Sequence, residues 1–310
     1  MQLSEIFYWL LSMSITASLC CLIILLIRLI PQIPKGFIRH LWIIPFIRLV
    51  FPFGLPAKYG LLELTAELTR TVVVPVDISS ISTHALTYNH VALAEKYVPF
   101  TYKTDMIRRI FDVASLVWIA VCVVLLAFFA VSYISVIREH RNAVCLRDNI
   151  FISKSAVSPF LIGVFRPKII LPHTLQNSDN TLIISHEKSH IRALDNLSRI
   201  IAVTVCILHW FNPLMWLFLK VYLSDLEYAC DERVLKELDT DRIKNYAGTL
   251  INAKKTASLT VSGIGSSDLS KRIKRILSYK KLSVISVIFT VILFAATAYI
   301  LLSNGQPPNV

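Results

Sequence analysis

Long apolar runs constrain this chain more than any other feature of its sequence. Residues 6–30 form twenty-five consecutive positions in which Arg28 is the only charge. About twenty apolar residues in a helix are enough to cross the hydrocarbon core of a bilayer. With 55% hydrophobic and only 17% charged residues over 310 positions, the composition excludes an ordinary soluble protein of two domains. The pattern predicts a mainly α-helical integral membrane protein.

Four runs of this kind predict four transmembrane helices. We assign them to residues 6–30, 37–54, 110–137 and 282–303. The second run contains three basic side chains, the third a single aspartate and the fourth no charge. The first run is not expected to be a cleaved signal peptide, because the segment before it is acidic, the run is too long and no small-residue cleavage motif follows it.

The lysines and arginines near the span ends predict an N-terminus outside the cell membrane. In this orientation eleven of them flank the spans on the inner side and four on the outer side, although Arg108 and Arg109 run against the trend. We therefore expect residues 55–109 to form an extracytoplasmic loop, residues 138–281 a cytoplasmic domain, and residues 304–310 a short outer tail.

The formal net charge of +12 fits this layout without a nucleic acid. Residues 138–281 contain 22 lysines and arginines against 13 acidic residues, which is most of the surplus. A basic domain next to an anionic inner leaflet accounts for that charge, and no DNA- or RNA-reading motif accompanies it. The lipid bilayer is the expected partner, with no direct contact to nucleic acid.

One short motif indicates chemistry. His186, Glu187 and His190 form an H-E-x-x-H pattern in a helical stretch without Pro or Gly. The spacing places both imidazoles on one helix face, where they can hold one Zn²⁺ with Glu187 beside the position that a water would occupy. We therefore predict His186 and His190 as zinc ligands and Glu187 as the general base. A solvated polar helix face is the alternative for so short a motif.

A third ligand is expected farther along the chain. Glu227 and Asp231 lie four positions apart in a second helical stretch, so they share a face. We predict Glu227 as the third zinc ligand and Asp231 as the acceptor that orients His186 or His190 through its other ring nitrogen. An ordinary acidic helix surface is the alternative, since three more acidic residues lie nearby.

The apolar run at 200–223 decides whether these ligands can meet. If it crossed the membrane straight, Glu227 would emerge on the opposite side from His186. Asn212–Pro213 favours a helix break, because proline lacks the N–H that a continuing helix needs. We predict a re-entrant or surface-lying hairpin that returns Glu227 to the side of His186. His209 and Asn212, at its turn, are expected to satisfy backbone groups rather than touch substrate.

A strand-like segment precedes the zinc motif. Residues 164–171 are rich in β-branched residues, and Pro167 suits an edge position. We predict that this small β element lines the cleft and pairs with an extended substrate.

These features together resemble the BlaR/MecR antirepressor family of membrane zinc metallopeptidases, which follow the gluzincin pattern. The resemblance extends from about residue 37 to residue 303. It implies a gluzincin-like, mostly helical domain with the same roles for His186, Glu187, His190, Glu227 and Asp231. The stretches that carry it are HLWIIPFIRLVFPF, VSPFLIGVFRPKIILP, HEKSH, HWFNPLMW followed by EYACDE, and KNYAGTL with LSKRIKRIL.

The family resemblance also implies a biological role. Its members respond to an external signal by cleaving a cytoplasmic winged-helix repressor of BlaI/MecI type, and self-cleavage is reported among them. Receptor members carry a penicillin-binding sensor domain after the last span, whereas this chain stops at Val310, so a short form without that sensor is expected. The inducer and the oligomeric state, including a homo-oligomer, stay open.

Two other functions remain as alternatives. The first is a constitutive quality-control zinc protease of the HtpX or prenyl-protein kind, which the segment VSPFLIGVFRPKIILP disfavours. The second is a non-catalytic membrane signalling protein, which the intact set of ligands and base disfavours. The basic segment Lys271–Arg275 is expected to anchor the chain at the inner leaflet, with a self-cleavage region as the alternative.

Overall fold

The computed structural model describes residues 3–30, 33–51, 55–57, 105–176, 180–258, 266–279 and 284–305. Most of the predicted loop 55–109 and most of the predicted tail 304–310 lie outside these residues. Within them the chain is mainly helical with a small sheet, as the sequence predicts.

The described residues form ten α-helices and six short strands. The helices are α1 Leu3–Arg28, α2 Lys35–Leu41, α3 Ile43–Val50, α4 Asp105–Glu139, α5 Thr181–Arg192, α6 Asp195–Leu208, α7 Pro213–Lys236, α8 Thr240–Ser258, α9 Ser266–Leu277 and α10 Val284–Leu302. The strands are β1 Leu55–Ala57, β2 Val144–Arg147, β3 Ile150–Ser153, β4 Phe160–Ile162, β5 Lys168–Pro172 and β6 Ser303–Gly305.

Two helices are long and apolar enough to cross a membrane by length and composition. They are α1 and the part of α4 from Arg109 to Glu139, and α10 contains a shorter apolar stretch, Val287–Leu301. Much of α4 presents large apolar side chains outward; Val124 and Phe128 are 65% and 71% exposed. An apolar surface of this kind suits lipid better than water.

The predicted second span at 37–54 is not one straight helix. It divides into the seven-residue α2 and the eight-residue α3, which meet at Trp42, and α3 ends at Val50. Pro45 has no N–H to donate to the carbonyl of Leu41, so the helix bends at this point.

The apolar helices pack side by side with alternating direction. Phe7, near the start of α1, contacts Trp118 in the first half of α4 and Phe211, with ring centroids 6.1 and 5.5 Å apart. At the other end of α1, Arg28 Nε donates to Asp225 of α7 at 2.8 Å. α1 runs parallel to α7, because Ser14 and Ser18 contact Asn212 and Arg28 contacts Asp225. α4 runs antiparallel to α6, because Trp118 donates to the carbonyl of Leu208 at the end of α6, whereas Tyr133 contacts Gly163, which binds Asn196 at the start of α6. Since α6 and α7 are antiparallel, α1 and α4 run in the same direction.

The ends of α3 and α10 lie together. The guanidinium of Arg48 donates to the carbonyl of Leu301 at 2.8 Å, and β1 pairs in parallel with β6 just beyond the two helices. The carbonyl of Leu49 is 3.2 Å from the His209 ring, at the same end of the bundle as Phe7. Helices α2–α3 and α10 thus run opposite to α1 and α4.

Helices α6 and α7 form an antiparallel hairpin, and the break falls where Asn212–Pro213 predicts it. The Asn212 side chain accepts from the Leu214 N–H at 3.0 Å and caps α7, whose first residue is Pro213. Its amide also donates to Ser14 and Ser18 of α1, at 2.8 and 2.9 Å. The hairpin tip is thereby fixed against α1, and α7 runs back toward α5.

A four-stranded sheet in the order β2-β3-β5-β4 supports α5. Buried Ile169 and Leu171 of β5 pack against Ile183 of α5. The prediction that 164–171 is an edge strand is wrong: β5 begins at Lys168 and pairs with β3 on one side and β4 on the other. Its backbone groups are already used within the sheet, so this strand offers no free edge to a substrate.

Candidate metal centre

The helices α5 and α7 bring the predicted ligands together. His186 and His190 are 6% and 2% exposed, and their rings lie perpendicular with centroids 4.8 Å apart. Each Nε2 atom faces the carboxylate of Glu227: His186 to Oε2 and His190 to Oε1, both at 3.6 Å. The structure therefore places all three predicted ligands around one point.

These distances fit a metal ion. Zinc bonds of about 2.0–2.1 Å in a tetrahedral arrangement separate neighbouring ligand atoms by roughly 3.3 Å. The observed 3.6 Å between imidazole nitrogen and carboxylate oxygen is close to that value. Two imidazoles and one carboxylate are also the donor set of a catalytic zinc site that keeps a position open for water.

Cys230 is a member of the cluster that the sequence analysis did not single out. The potential ligand atoms of His186, His190 and Cys230 all lie within 4.8 Å of one another. Its Sγ is 3.4 Å from Nδ1 and 3.9 Å from Nε2 of His186, and the thiol donates to the His186 carbonyl at 3.3 Å. The sequence signal was available, since Cys230 lies three positions after Glu227 and so shares its helix face.

The electrostatics of the cluster favour positive charge between the two rings. Burial by itself would lower the pKa of His186, but the Cys230 sulfur and the Glu227 carboxylate raise it to about 10. Burial would raise the pKa of Cys230, but His186 and His190 lower it to about 6. The pKa of Glu227 lies well below its usual value despite burial, because the His186 and His190 imidazoles and the Arg272 guanidinium next to it stabilise its charged form. A divalent cation would supply the charge that this environment favours.

The second ring nitrogen of His186 is held by a tyrosine. Its Nδ1 lies 2.7 Å from Tyr246 Oη, and the Tyr246 hydroxyl donates to Asp231 Oδ1 at 2.7 Å. Asp231 itself is 3.5 Å from the imidazole, too far for a direct hydrogen bond. Asp231, predicted to orient a histidine, therefore reaches His186 only through Tyr246, which lies in α8.

The second ring nitrogen of His190 is held by a different aspartate. Nδ1 lies 2.7 Å from Asp195 Oδ2, and Asp195 is fully buried. Arg39 and Arg233 also bind this carboxylate, at 2.6 and 2.8 Å. Burial would raise the pKa of Asp195, but His190 and the two guanidinium groups lower it. Asp195 follows His190 by five positions. Sequence reasoning missed it because the turn between α5 and α6, rather than helical spacing, brings its carboxylate to the His190 ring.

Two arginines hold the carboxylate of Glu227. Arg199 Nη2 contacts Oε1 at 2.5 Å, and Arg272 Nη1 contacts Oε2 at 3.2 Å. Arg272 also donates twice to Asp231, at 2.9 and 2.8 Å. The segment Lys271–Arg275, expected to be an inner-leaflet anchor, thus contributes one of its side chains to the site.

Glu187 is buried at 8% exposure on the same helix as the two histidines. It forms no ion pair with any residue that the structure describes. Its carboxylate is therefore not committed to a structural pair, as a general base requires.

Comparison with known proteins identifies the family. The model of the family described as BlaR1 peptidase M56 matches residues 8–278. The chain belongs to this family. The family resemblance drawn from the sequence is confirmed, and the M56 assignment makes the chain a relative of metallopeptidases.

Curated relatives of this M56 chain carry regulatory names. It is 28% identical to the regulatory protein BlaR1 of Bacillus licheniformis over 148 residues, which cover 46% of the chain and 25% of that protein. It is 25% identical to the methicillin resistance mecR1 proteins of Staphylococcus aureus and Staphylococcus epidermidis over 138 residues, 41% of the chain and 24% of each of those proteins. The matched part thus spans about a quarter of these relatives.

Proposed function

We propose that this M56 chain is a membrane-embedded zinc metalloendopeptidase that transmits a signal by cleaving a cytoplasmic transcriptional repressor of BlaI/MecI type. One observation carries the proposal: His186, His190 and Glu227 converge on one point, with Glu187 on the same helix as both histidines. The family match and the regulatory names of the relatives support the same role.

The residues of the site divide the chemistry among them. A bound zinc ion would act as a Lewis acid, lowering the pKa of a water and stabilising negative charge on the peptide carbonyl oxygen. Glu187 would accept a proton from that water and return it to the nitrogen of the leaving amine. Asp195 and Tyr246 would keep the imidazoles oriented through their second ring nitrogens.

The membrane placement is part of the proposal. The alternating directions of α1, α2–α3, α4 and α10 support four crossings, and the lysines and arginines near the span ends support an N-terminus outside. The contact of Arg28 with Asp225, two positions before Glu227, supports a site at the inner end of α1. In this placement the α6–α7 hairpin enters the membrane from the cytoplasmic side and returns, so that His190 and Glu227 meet at the boundary.

The regulatory names also favour repressor cleavage over the two alternatives. A constitutive quality-control protease would need no inducer, whereas the relatives are named for regulation and for methicillin resistance. A non-catalytic signalling protein would have no need of an unpaired, buried Glu187 beside a complete set of ligands.

The substitution Glu187→Gln tests the proposal. It removes the base while leaving the ligands, so we expect zinc content to stay at the native level and cleavage of the repressor to be lost. Repressor cleavage is followed by immunoblot after induction, and zinc by elemental analysis of the purified chain. Glu139→Gln, at an exposed position at the end of α4, is the matched control and should cleave normally. Cleavage that persists in Glu187→Gln would refute the protease assignment.

A further inference from the structure

A basic cleft lies on the face of α5 that carries Ser185, Ser189 and Arg192, next to the face that carries the two imidazoles. Its volume is about 450 Å³, and it is formed by α2, α5 and α7. This volume lies within the range of sites that bind small molecules. The charged and ionisable side chains that line it are Arg39, His40, Arg192, Arg233, Lys236 and Glu237.

Two arginines of the cleft are already fixed in place. Arg39 binds Asp195 Oδ1 at 2.6 Å and the carbonyl of Ala193. Arg233 donates to Ser189 Oγ and to Asp195 Oδ2, both at 2.8 Å. An incoming anion would therefore meet guanidinium groups whose rotamer freedom is already lost, which lowers the entropic cost of binding.

The other two cations of the cleft, Arg192 and Lys236, are available to bind an anion. Arg192 pairs with Glu237 only at 3.6 Å, and both side chains are well exposed, at 71% and 65%, so this pair contributes little. Lys236 is exposed and forms no ion pair with any described residue. The four cations Arg39, Arg192, Arg233 and Lys236 face two carboxylates, Asp195 and Glu237. The cleft therefore has a net charge of +2.

The position of the cleft indicates which anion it meets. Arg39 belongs to α2, and the helix that follows, α3, exposes the apolar side chains of Ile43, Ile47 and Val50. The cleft therefore borders an apolar outer surface of the helix bundle, as a site at the level of lipid headgroups would. A site for a free metabolite or an acidic peptide would not need to lie beside an apolar surface.

We infer that this cleft binds the phosphate of an anionic phospholipid headgroup from the inner leaflet. The inference rests on the membrane placement proposed above but not on peptidase activity. The phosphate diester would lie between the fixed pair Arg39–Arg233 and the mobile pair Arg192–Lys236, while the acyl chains would follow the exposed face of α3.

The test uses the full chain in nanodiscs of phosphatidylcholine with and without a photoreactive phosphatidylglycerol. After illumination, labelled peptides are mapped and counted for the native chain and for Arg192→Gln/Lys236→Gln. We expect the label on the peptides that line the cleft, in α5 and α7, and a loss of at least about tenfold in the double variant, since even one hydrogen bond between a charged donor and the phosphate contributes about that much.

The control double variant is Arg141→Gln/Arg147→Gln, which removes the same charge from exposed positions in and before β2. Equal loss of label in both double variants would mean general attraction to a basic domain and would overturn the inference. Displacement of the label by inorganic phosphate would show that the site takes the free ion instead. Native labelling in a chain that cleaves no repressor would uphold the cleft while refuting the proposed function.

Discussion

Each imidazole of the metal centre is oriented by its own partner, and the two partners differ in kind. His190 donates directly to the buried carboxylate of Asp195, whereas His186 reaches Asp231 through the hydroxyl of Tyr246. Both arrangements fix the tautomer that leaves Nε2 free for a metal. The hydroxyl of Tyr246 can be removed without leaving a buried charge unpaired, because Asp231 still binds Arg272.

The substitution Tyr246→Phe should weaken zinc binding. It removes the hydroxyl that bridges His186 and Asp231. Loss of such an orienting partner typically lowers metal affinity 10–100-fold, and we expect a loss on the order of tenfold here. Affinity is measured by competition with a chromophoric chelator. Tyr133→Phe, which removes a hydroxyl that accepts from the Gly163 N–H just after β4, is the control and should bind zinc as the native chain does. Equal affinity in both variants would contradict the bridging role of Tyr246.

The substitution Cys230→Ser should leave zinc bound. The Cys230 sulfur lies closer to Nδ1 of His186 than to Nε2, and Nδ1 is already bound to Tyr246. We therefore expect zinc to be held by the two Nε2 atoms and Glu227, without the thiolate. In the cobalt-substituted native chain the intense sulfur-to-metal charge-transfer absorption should be absent. Its presence, and its loss in Cys230→Ser, would make Cys230 a ligand instead.

At the scale of elements, sequence patterns predicted the helices and ligands but not the partners that hold them. Helical spacing is local, so α5 and α7 and their shared ligand face could be predicted from residues 186–190 and 227–231. Arg272 and Tyr246 reach the site from α9 and α8, and no local pattern links them to His186. The strand at 164–171 was predicted at an edge because Pro167 suits one, but pairing partners depend on the whole sheet.

Arg272 binds helix α9 to α7, beside the apolar contacts made by buried Ile276. This guanidinium is 17% exposed and binds both carboxylates of α7 that face it, Asp231 and Glu227. The substitution Arg272→Gln leaves the buried carboxylate of Asp231 without its cation and leaves Glu227 with Arg199 alone, so we expect a destabilisation of about 3 kcal/mol. Stability is measured by thermal unfolding of the detergent-solubilised chain, followed by size-exclusion fluorescence.

The control for this prediction lies on the same helix. Lys274 is exposed, and Lys274→Gln should change stability by no more than about 0.5 kcal/mol. If both variants unfold at the native temperature, α9 is held by its apolar face, including buried Ile276, rather than by Arg272.

At the scale of the whole molecule, the hairpin decides whether the centre can exist. The H-E-x-x-H motif precedes α6 and the predicted third ligand, Glu227, follows it in α7, so the two can meet only if α6 and α7 return to the side they left. The Asn212 contacts with Ser14 and Ser18 hold the turn against α1, and the contact of Arg28 with Asp225 holds α7 against the other end of α1. The apolar run at 200–223 therefore packs as a hairpin along α1.

The cysteines of the chain allow the membrane placement to be tested. Cys145 is exposed, whereas the other five cysteines are buried. If residues 138–281 are cytoplasmic, a membrane-impermeant maleimide should label Cys145 only after the cells are permeabilised, and Cys145→Ser should abolish the signal. In that background Lys154→Cys and Glu237→Cys place single exposed thiols before and after the hairpin, and both should behave as Cys145 does. Labelling of one but not the other in intact cells would mean that 200–223 crosses the membrane, and a chain of that topology could not bring Glu227 to His186 and His190.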